Sequence, residues 1–409
     1  MLTELTNRKT DEAPAQYLWL TLADPEPRHN GQFIYSGGLI DAMIETGAHI
    51  DILGLARSRD IPPTRNTAAN ASWWLSDNLR RSSWRSLLSV LPGIADRAWT
   101  PQLRRRLQER LGARKWDAIV LDGISVGWAL PLVLRHYPDR TSRPRLIYIS
   151  HNHERSLRVQ IAGNHPNFVK RQVLRFDALK TGWLESRMLD AVDMVTAITP
   201  EDRMLYLADR PDRRVEVLTP GYSGQKAVTR HITQAQPRRA IILGSFDWIA
   251  KRINLEQFIA VADPLFAANN AELQVVGSAD EDFLRYMRGR VSATRFTGTV
   301  DGVLDFMREA RVALVVERFG GGFKLKVLDY IFNRMPILAL SGSVAGVPLQ
   351  HQDSILYYPD YAALARGALQ VIDDFEQLNR LHDRAYDACR DSFHWTSRGT
   401  QLATAIGAL

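Results

Sequence analysis

The sequence has very little sulfur chemistry to offer. One cysteine, Cys389, in 409 residues excludes an internal disulfide framework, leaves no thiol cluster for a structural zinc site, and fits a reducing compartment. No apolar run approaches the ~20 residues needed to cross a bilayer. The opening stretch MLTELTNRKTDEAPAQ is polar and acidic, unlike a secretory signal. The expectation is a soluble, cytoplasmic chain that at most touches the inner face of a membrane. The full glycine fingerprint of dinucleotide enzymes is missing after the first strand, which disfavours nicotinamide chemistry. Low-complexity tracts and short repeats are missing too, and 45% hydrophobic with 24% charged residues is ordinary for a globular chain.

Acids are scarce in one segment. Between Arg80 and Lys115 stand Arg81, Arg85, Arg97, Arg104, Arg105, Arg106, Arg110 and Arg114, opposed only by Asp96 and Glu109, in a chain of net charge +7. Such a block can face nucleic acid, anionic lipid or an acidic substrate, or it can be a solvated helix face. The interleaved Trp73, Trp74, Trp84 and Trp99 turn the reading from nucleic acid toward an anionic membrane surface, which indole and guanidinium both suit.

What the sequence does have is a run from Val312 to Leu340, VALVVERFGGGFKLKVLDYIFNRMPILAL. Val312 to Val316 is wholly apolar, the pattern of a strand buried on both faces of a parallel sheet. Glu317 stands at its carboxyl end, Gly320, Gly321 and Gly322 remove every Cβ from the turn, and a helical pattern follows with Lys324, Lys326 and Asp329 on its first turns. Ile337 to Leu340 reads as the next buried strand. Strand, glycine turn and helix start direct backbone N–H groups and the positive end of a helix dipole at one spot. The bland alternative is a turn that needs glycine only for its backbone angles. The coincidence of two acids and two lysines favours an anion, and a phosphate in particular.

The rest alternates strand and helix. Tyr17 to Ala23 is a strand; Gly31, Gly37 and Gly38 surround the start of a helix; Ile50 to Leu55 is the second strand. Trp116 to Leu121 is buried and ends at Asp122-Gly123. Leu146 to Ile149 ends at Ser150-His151-Asn152-His153-Glu154, a cluster just past a buried strand that points to catalysis or substrate binding. No recognised metal motif is completed elsewhere. A long helix over Asn167 to Leu189, a strand from Met194, a helix capped by Thr199 and a strand over Val215 to Leu218 complete the first unit. The polar stretch Gln225 to Arg239 is the linker. Alternation restarts at Ala240, with Gly244, Ser245, Phe246, Asp247, Trp248, Lys251 and Arg252 after the strand and a helix over Asn254 to Phe266. Two tandem Rossmann-like α/β domains are expected: 1–225, 226–385, and a C-terminal helical stretch, 386–409, that packs back on the first.

In this order the motifs resemble the family-4 retaining glycosyltransferases of the GT-B arrangement. ERFGGGFKLKVLDY with RMPILAL resembles the donor-binding segment, GSFDWIAKRINLEQF the first loop of the second domain, SHNHE the histidine-asparagine-acid segment, and LTPGYS the interdomain turn. The resemblance implies that a nucleotide sugar is bound in the cleft without metal or cofactor. His151 would act at the reaction centre. Gly244, Lys251, Gly320, Gly321, Gly322 and Lys324 would hold the diphosphate and Asp329 the ribose. Gly31, Asn152 and Glu154 would face the acceptor, be it a glycan, a lipid or a small molecule. The family's first acid lies eight positions before the second; here that position is Gly321, and Glu317, twelve before Asp329, is the acid left to take the catalytic role. Two competing readings are a nucleotide-sugar epimerase of similar form and a non-catalytic protein that binds lipid or nucleic acid through the basic block.

Overall fold

A computed structural model describes residues 13–28, 30–57, 67–78, 86 and 88–409. Two parallel sheets carry the chain. The first has seven strands in the order β3-β2-β1-β4-β5-β6-β7: β1 Gln16–Ala23, β2 His49–Leu55, β3 Ala71–Ser76, β4 Ala118–Asp122, β5 Arg145–Ile149, β6 Met194–Ala197 and β7 Arg214–Val217. The second has six, in the order β10-β9-β8-β11-β12-β13: β8 Arg239–Leu243, β9 Glu272–Val276, β10 Thr294–Phe296, β11 Val312–Val315, β12 Ile337–Leu340 and β13 Leu356–Tyr358. Every residue of β4, β11 and β12 is buried, which is why the central strands read as continuous apolar runs.

In each sheet the strand order reverses once, between β1 and β4 and again between β8 and β11, and open α/β sheets bind ligands at the carboxyl ends of such strands. Asp122 and Glu317 lie at or just past the ends of β4 and β11, on the two sides of the molecule where a ligand belongs. The C-terminal helix Trp395–Gly407 returns to the first domain: Leu402, Ala405 and Ile406 share a core with Leu39, Ile40 and Met43 of helix Gly31–Glu45. A Cβ on Gly399 would meet the Ala42 carbonyl at 2.2 Å, so the two helices touch backbone to backbone.

Two expectations need correction. Strand β3 was read only as part of a tryptophan-rich surface. Trp73 and Trp74 are adjacent residues of that edge strand and pack against different cores, as alternation in a strand requires. Arg110 stacks over Trp74 at 4.1 Å and, with Arg114, pairs with buried Asp51. Trp99 packs on the first core, and Trp84, Arg80, Arg81 and Arg85 lie outside the described residues. Among the described residues the basic block is thus partly structural, and Arg104 and Arg105 are exposed on helix Pro101–Leu111, whose Leu103, Leu107 and Leu111 are buried. The second correction is that helix Ile249–Ala268 begins earlier than Asn254, which puts Lys251 on its first turn rather than in a loop.

Candidate functional site

The loop after β5 supplies one wall. Asp122 is fully buried at the end of β4, and its Oδ1 lies 2.6 Å from His151 Nε2. Trp19 Nε1 donates to the other oxygen at 3.2 Å. A carboxylate only accepts, so Nε2 carries the proton of this bond and Nδ1 is the ring nitrogen left outside it. Tyr35 meets the imidazole edge-on at 5.3 Å and is itself fixed by its hydroxyl, which donates to the Leu218 carbonyl at 2.7 Å. The histidine is therefore oriented from two sides. His153 faces elsewhere, toward Ser156 and Asp209.

Asn152 reaches across to the second domain. A Cβ on Gly322, whose φ is +75°, would sit 2.3 Å from Asn152 Oδ1, and one on Gly321 would sit 4.0 Å away. Both conformation and proximity require glycine at 322. Glu154 is buried behind the asparagine: its Oε1 accepts from Asn152 Nδ2 and its Oε2 from Arg158 Nε, each at 3.3 Å. Glu154 therefore holds Asn152 in place. Its own helix, Glu154–Asn164, is capped by Glu185, which takes the backbone N–H groups of Glu154 and Arg155. Burial foremost, with the charge of Glu154 beside it, pushes the Glu185 carboxyl up to about 7.

The opposite wall is cationic. Lys251, Lys324 and Lys326 surround Glu317, with Lys326 Nζ 2.5 Å from Glu317 Oε1. Burial pushes the Glu317 carboxyl up, and the three lysines, Lys326 foremost, pull it below the ordinary range. Burial lowers the Lys324 and Lys251 ammonium groups; Glu317 opposes that for Lys324, and Lys326 adds to it for Lys251. Among the described residues Glu317 Oε2 is buried without a hydrogen-bond partner. Asp247 also acts on Lys251 and Asp202 on Lys324, so the lysines sit in a mixed cluster of cations and carboxylates.

Helix Leu325–Phe332 begins beside these lysines, and no side chain caps it. Gly31, at the start of helix Gly31–Glu45, faces it: its missing Cβ would lie 3.6 Å from Leu325 Cδ1. The starts of two helices from different domains thus lie in contact, and the start of helix Leu325–Phe332, with no side-chain cap, favours an anion. Asp329 is on the same short helix, and burial raises its carboxyl to about 6 while Tyr222 hydrogen-bonds to it. Gly320, at φ +102°, lies against Trp248, and Gly244 follows β8, its N–H donating to the Val276 carbonyl at 3.1 Å.

The structure therefore gathers His151, Asn152, Gly321, Gly322, Lys324, Gly31 and Leu325 across one interdomain cleft, with Lys251 and Glu317 behind the glycine turn. Sequence reasoning missed two residues that make this possible. Asp122 was noted only as a strand end; its adjacency to His151 follows from β4 pairing with β5. Asn254 accepts from the N–H groups of Arg318 and Phe319 and donates to the Phe319 carbonyl. It fixes the loop that leads into the glycines, and a lone asparagine in a helix pattern carries no signal for that. Among the described residues no group of three or more His, Cys, Asp or Glu side chains is arranged to hold a metal ion.

This geometry can be set beside known proteins. Residues 237–374 match the family described as Glycosyl transferases group 1. Sucrose-phosphate synthase from Thermosynechococcus elongatus superposes with a TM-score of 0.72 over 96% of this chain and 98% of its own, at 14% identity. HepE from Anabaena, solved with UDP and glucose, superposes with a TM-score of 0.64 over 97% of this chain and 100% of its own, at 12% identity. WaaG, a glycosyltransferase involved in lipopolysaccharide biosynthesis, gives 0.61 over 95% and 99%, at 14% identity. The fold is GT-B, the two-domain glycosyltransferase fold. No curated protein sequence matches the chain. In this GT-B chain the glycosyltransferase group 1 match covers the second domain, and that is the domain carrying the lysine cluster and the glycine turn.

Proposed function

We propose that the protein is a retaining, metal-independent glycosyltransferase that moves a hexose from a nucleoside-diphosphate sugar to a glycan, lipid-linked or small-molecule acceptor on the cytoplasmic side. The observation that carries this reading is the lysine cluster and the glycine turn leading into the start of helix Leu325–Phe332 at the second domain's strand-order reversal, facing an oriented histidine. Cleavage of a glycosyl–diphosphate bond builds negative charge on the leaving phosphate while the sugar becomes oxocarbenium-like. Lys324, Lys251 and the N–H groups at the start of helix Leu325–Phe332 are fixed in advance where that charge appears. Asp329 takes the ribose hydroxyls. His151, with its Nε2 proton held by Asp122, offers Nδ1 to a sugar or acceptor hydroxyl. HepE has been solved with UDP and with UDP-glucose, so a uridine donor is the first to test.

Calorimetry with UDP, followed by nucleotide-release assays over a panel of nucleotide sugars and acceptors, tests the proposal. Nucleotide binding with acceptor-dependent release is the expected result. Release with no donor in the panel overturns it, and turnover of a nucleotide sugar without any acceptor replaces it with the epimerase reading.

A further inference from the structure

Helix Phe168–Ala191 presents an apolar face to solvent. Phe168, Val169 and Leu179 are 67%, 69% and 73% exposed, and Val173, Phe176 and Trp183 are exposed with them. At 100° per residue these six fall on one continuous side of the helix. The stripe widens at its neighbour, where Leu88 and Val90 are also exposed and Lys180 Nζ donates to the Ser86 and Ser89 carbonyls. Monomeric soluble proteins rarely leave so continuous an apolar surface uncovered.

The position of this face in the molecule adds to its meaning. Glu185 caps helix Glu154–Asn164 at the level of the end of β5. Toward its N-terminus the helix packs on the segment leading to Gly93, with Asp177 accepting from Gly93 N–H and Lys180 donating to the Ser86 and Ser89 carbonyls. The inner helix of this hairpin closes on the second domain, where Leu157 and Ile161 pack with Ala250, Ile253 and Phe319. The outer helix turns its apolar face away from the cleft.

Charge selects the occupant. Lys170, Arg175 and Arg187 are exposed along the same helix, and Trp183 and Phe176 have cations over their rings, Arg187 at 5.0 Å and Lys180 at 5.1 Å. The acids of the helix are engaged or buried: Asp177 accepts from Gly93 N–H, Asp190 pairs with Arg210, and Glu185 is internal. An isologous dimer on this face would bring two copies of this cation-rich helix together and add like charge to the interface. Apolar side chains rimmed by lysine and arginine match the interface of an anionic bilayer, where the rings enter and the cations meet headgroups. Among the described residues no helix is long and apolar enough to cross a membrane. We infer that the protein docks on anionic lipid through the outer face of helix Phe168–Ala191, with the cleft held beside the membrane rather than facing into it. This inference stands apart from the sugar-transfer reading.

The test is co-sedimentation of the full chain with vesicles of phosphatidylcholine alone and of phosphatidylcholine mixed with phosphatidylglycerol. Binding to the mixed vesicles is expected, weakened by salt. The double variant Phe176→Asp/Leu179→Asp should lower the partition by about tenfold or more, and Lys170→Glu/Arg175→Glu should lower it several-fold at low salt. Arg104→Glu/Arg105→Glu on helix Pro101–Leu111 should leave it unchanged. Failure to bind the mixed vesicles, or equal binding by the Asp variant, overturns the inference. So does a dimer in light scattering that the Asp variant dissolves, because the face would then belong to a second copy. Unchanged melting and unchanged UDP affinity in the Asp variant keep a failure here distinct from a failure of the proposed chemistry.

Discussion

The two strand-order reversals have the same topology and opposite chemistry. Between β1 and β4 the structure places a directional device, an imidazole aligned by one carboxylate and one aromatic edge. Between β8 and β11 it places undirected charge, three lysines packed around one carboxylate. Repetition of a fold decides where a ligand lies, and the residues at each strand end decide which part of it. A nucleotide sugar has both kinds of part: a diphosphate that needs charge and a sugar carbon that needs alignment.

The sharpest test of this division separates turnover from binding. Asp122→Asn should cut turnover by about a hundredfold or more while leaving UDP affinity within about twofold, because it disturbs the tautomer and orientation of His151 and leaves the lysine cluster untouched. Lys324→Ala should do the reverse first: UDP affinity by calorimetry should fall by about tenfold or more, about the loss of one charge-assisted phosphate contact. Equal losses of affinity in both variants would break the comparison. Gly322→Ala should cost about 1–3 kcal/mol in a melting measurement, because its φ is +75° and the new Cβ would collide with Asn152.

Glu185 gives a pH signature. Its folded pKa, about 7, is above the ordinary value of 4.5, so its contribution to stability is complete below about pH 4.5 and is lost as pH rises through 7. The melting temperature of the native chain should fall more steeply between pH 5 and 8 than that of Glu185→Gln, which cannot ionise. Matching slopes would show that the acid is already ionised at pH 5. The smallest effect belongs to Arg105→Ala, an exposed arginine on helix Pro101–Leu111 that should change stability by less than about 0.5 kcal/mol.

Much of this was legible in the sequence, and what was not has physical causes. β8, β11 and β12 are buried on both faces, so their apolar runs announce them, and the glycine turn between β11 and helix Leu325–Phe332 follows directly. β3 is an edge strand whose two tryptophans face different cores, and its composition reads equally well as a surface. The dyad of Asp122 and His151 depends on two strands pairing across an intervening helix, a contact that no local pattern encodes. Glu185 was invisible for a similar reason: it lies in the middle of a long helix, and what it caps is a different one. The exposed face of helix Phe168–Ala191 could not be separated from core by periodicity, since an apolar stripe has the same spacing whether it is covered or bare.

The return of helix Trp395–Gly407 to the first domain has a mechanical consequence. The chain crosses between domains twice, once near Tyr222 and once near Phe393, and the two crossings are fastened together by the Tyr222 N–H donating to the Phe393 carbonyl at 2.7 Å. The domains are therefore joined by two segments of backbone held side by side rather than by one tether. The same wiring makes the second domain an insertion within the first, and removing residues 395–409 would damage the half of the protein from which they are most distant in sequence.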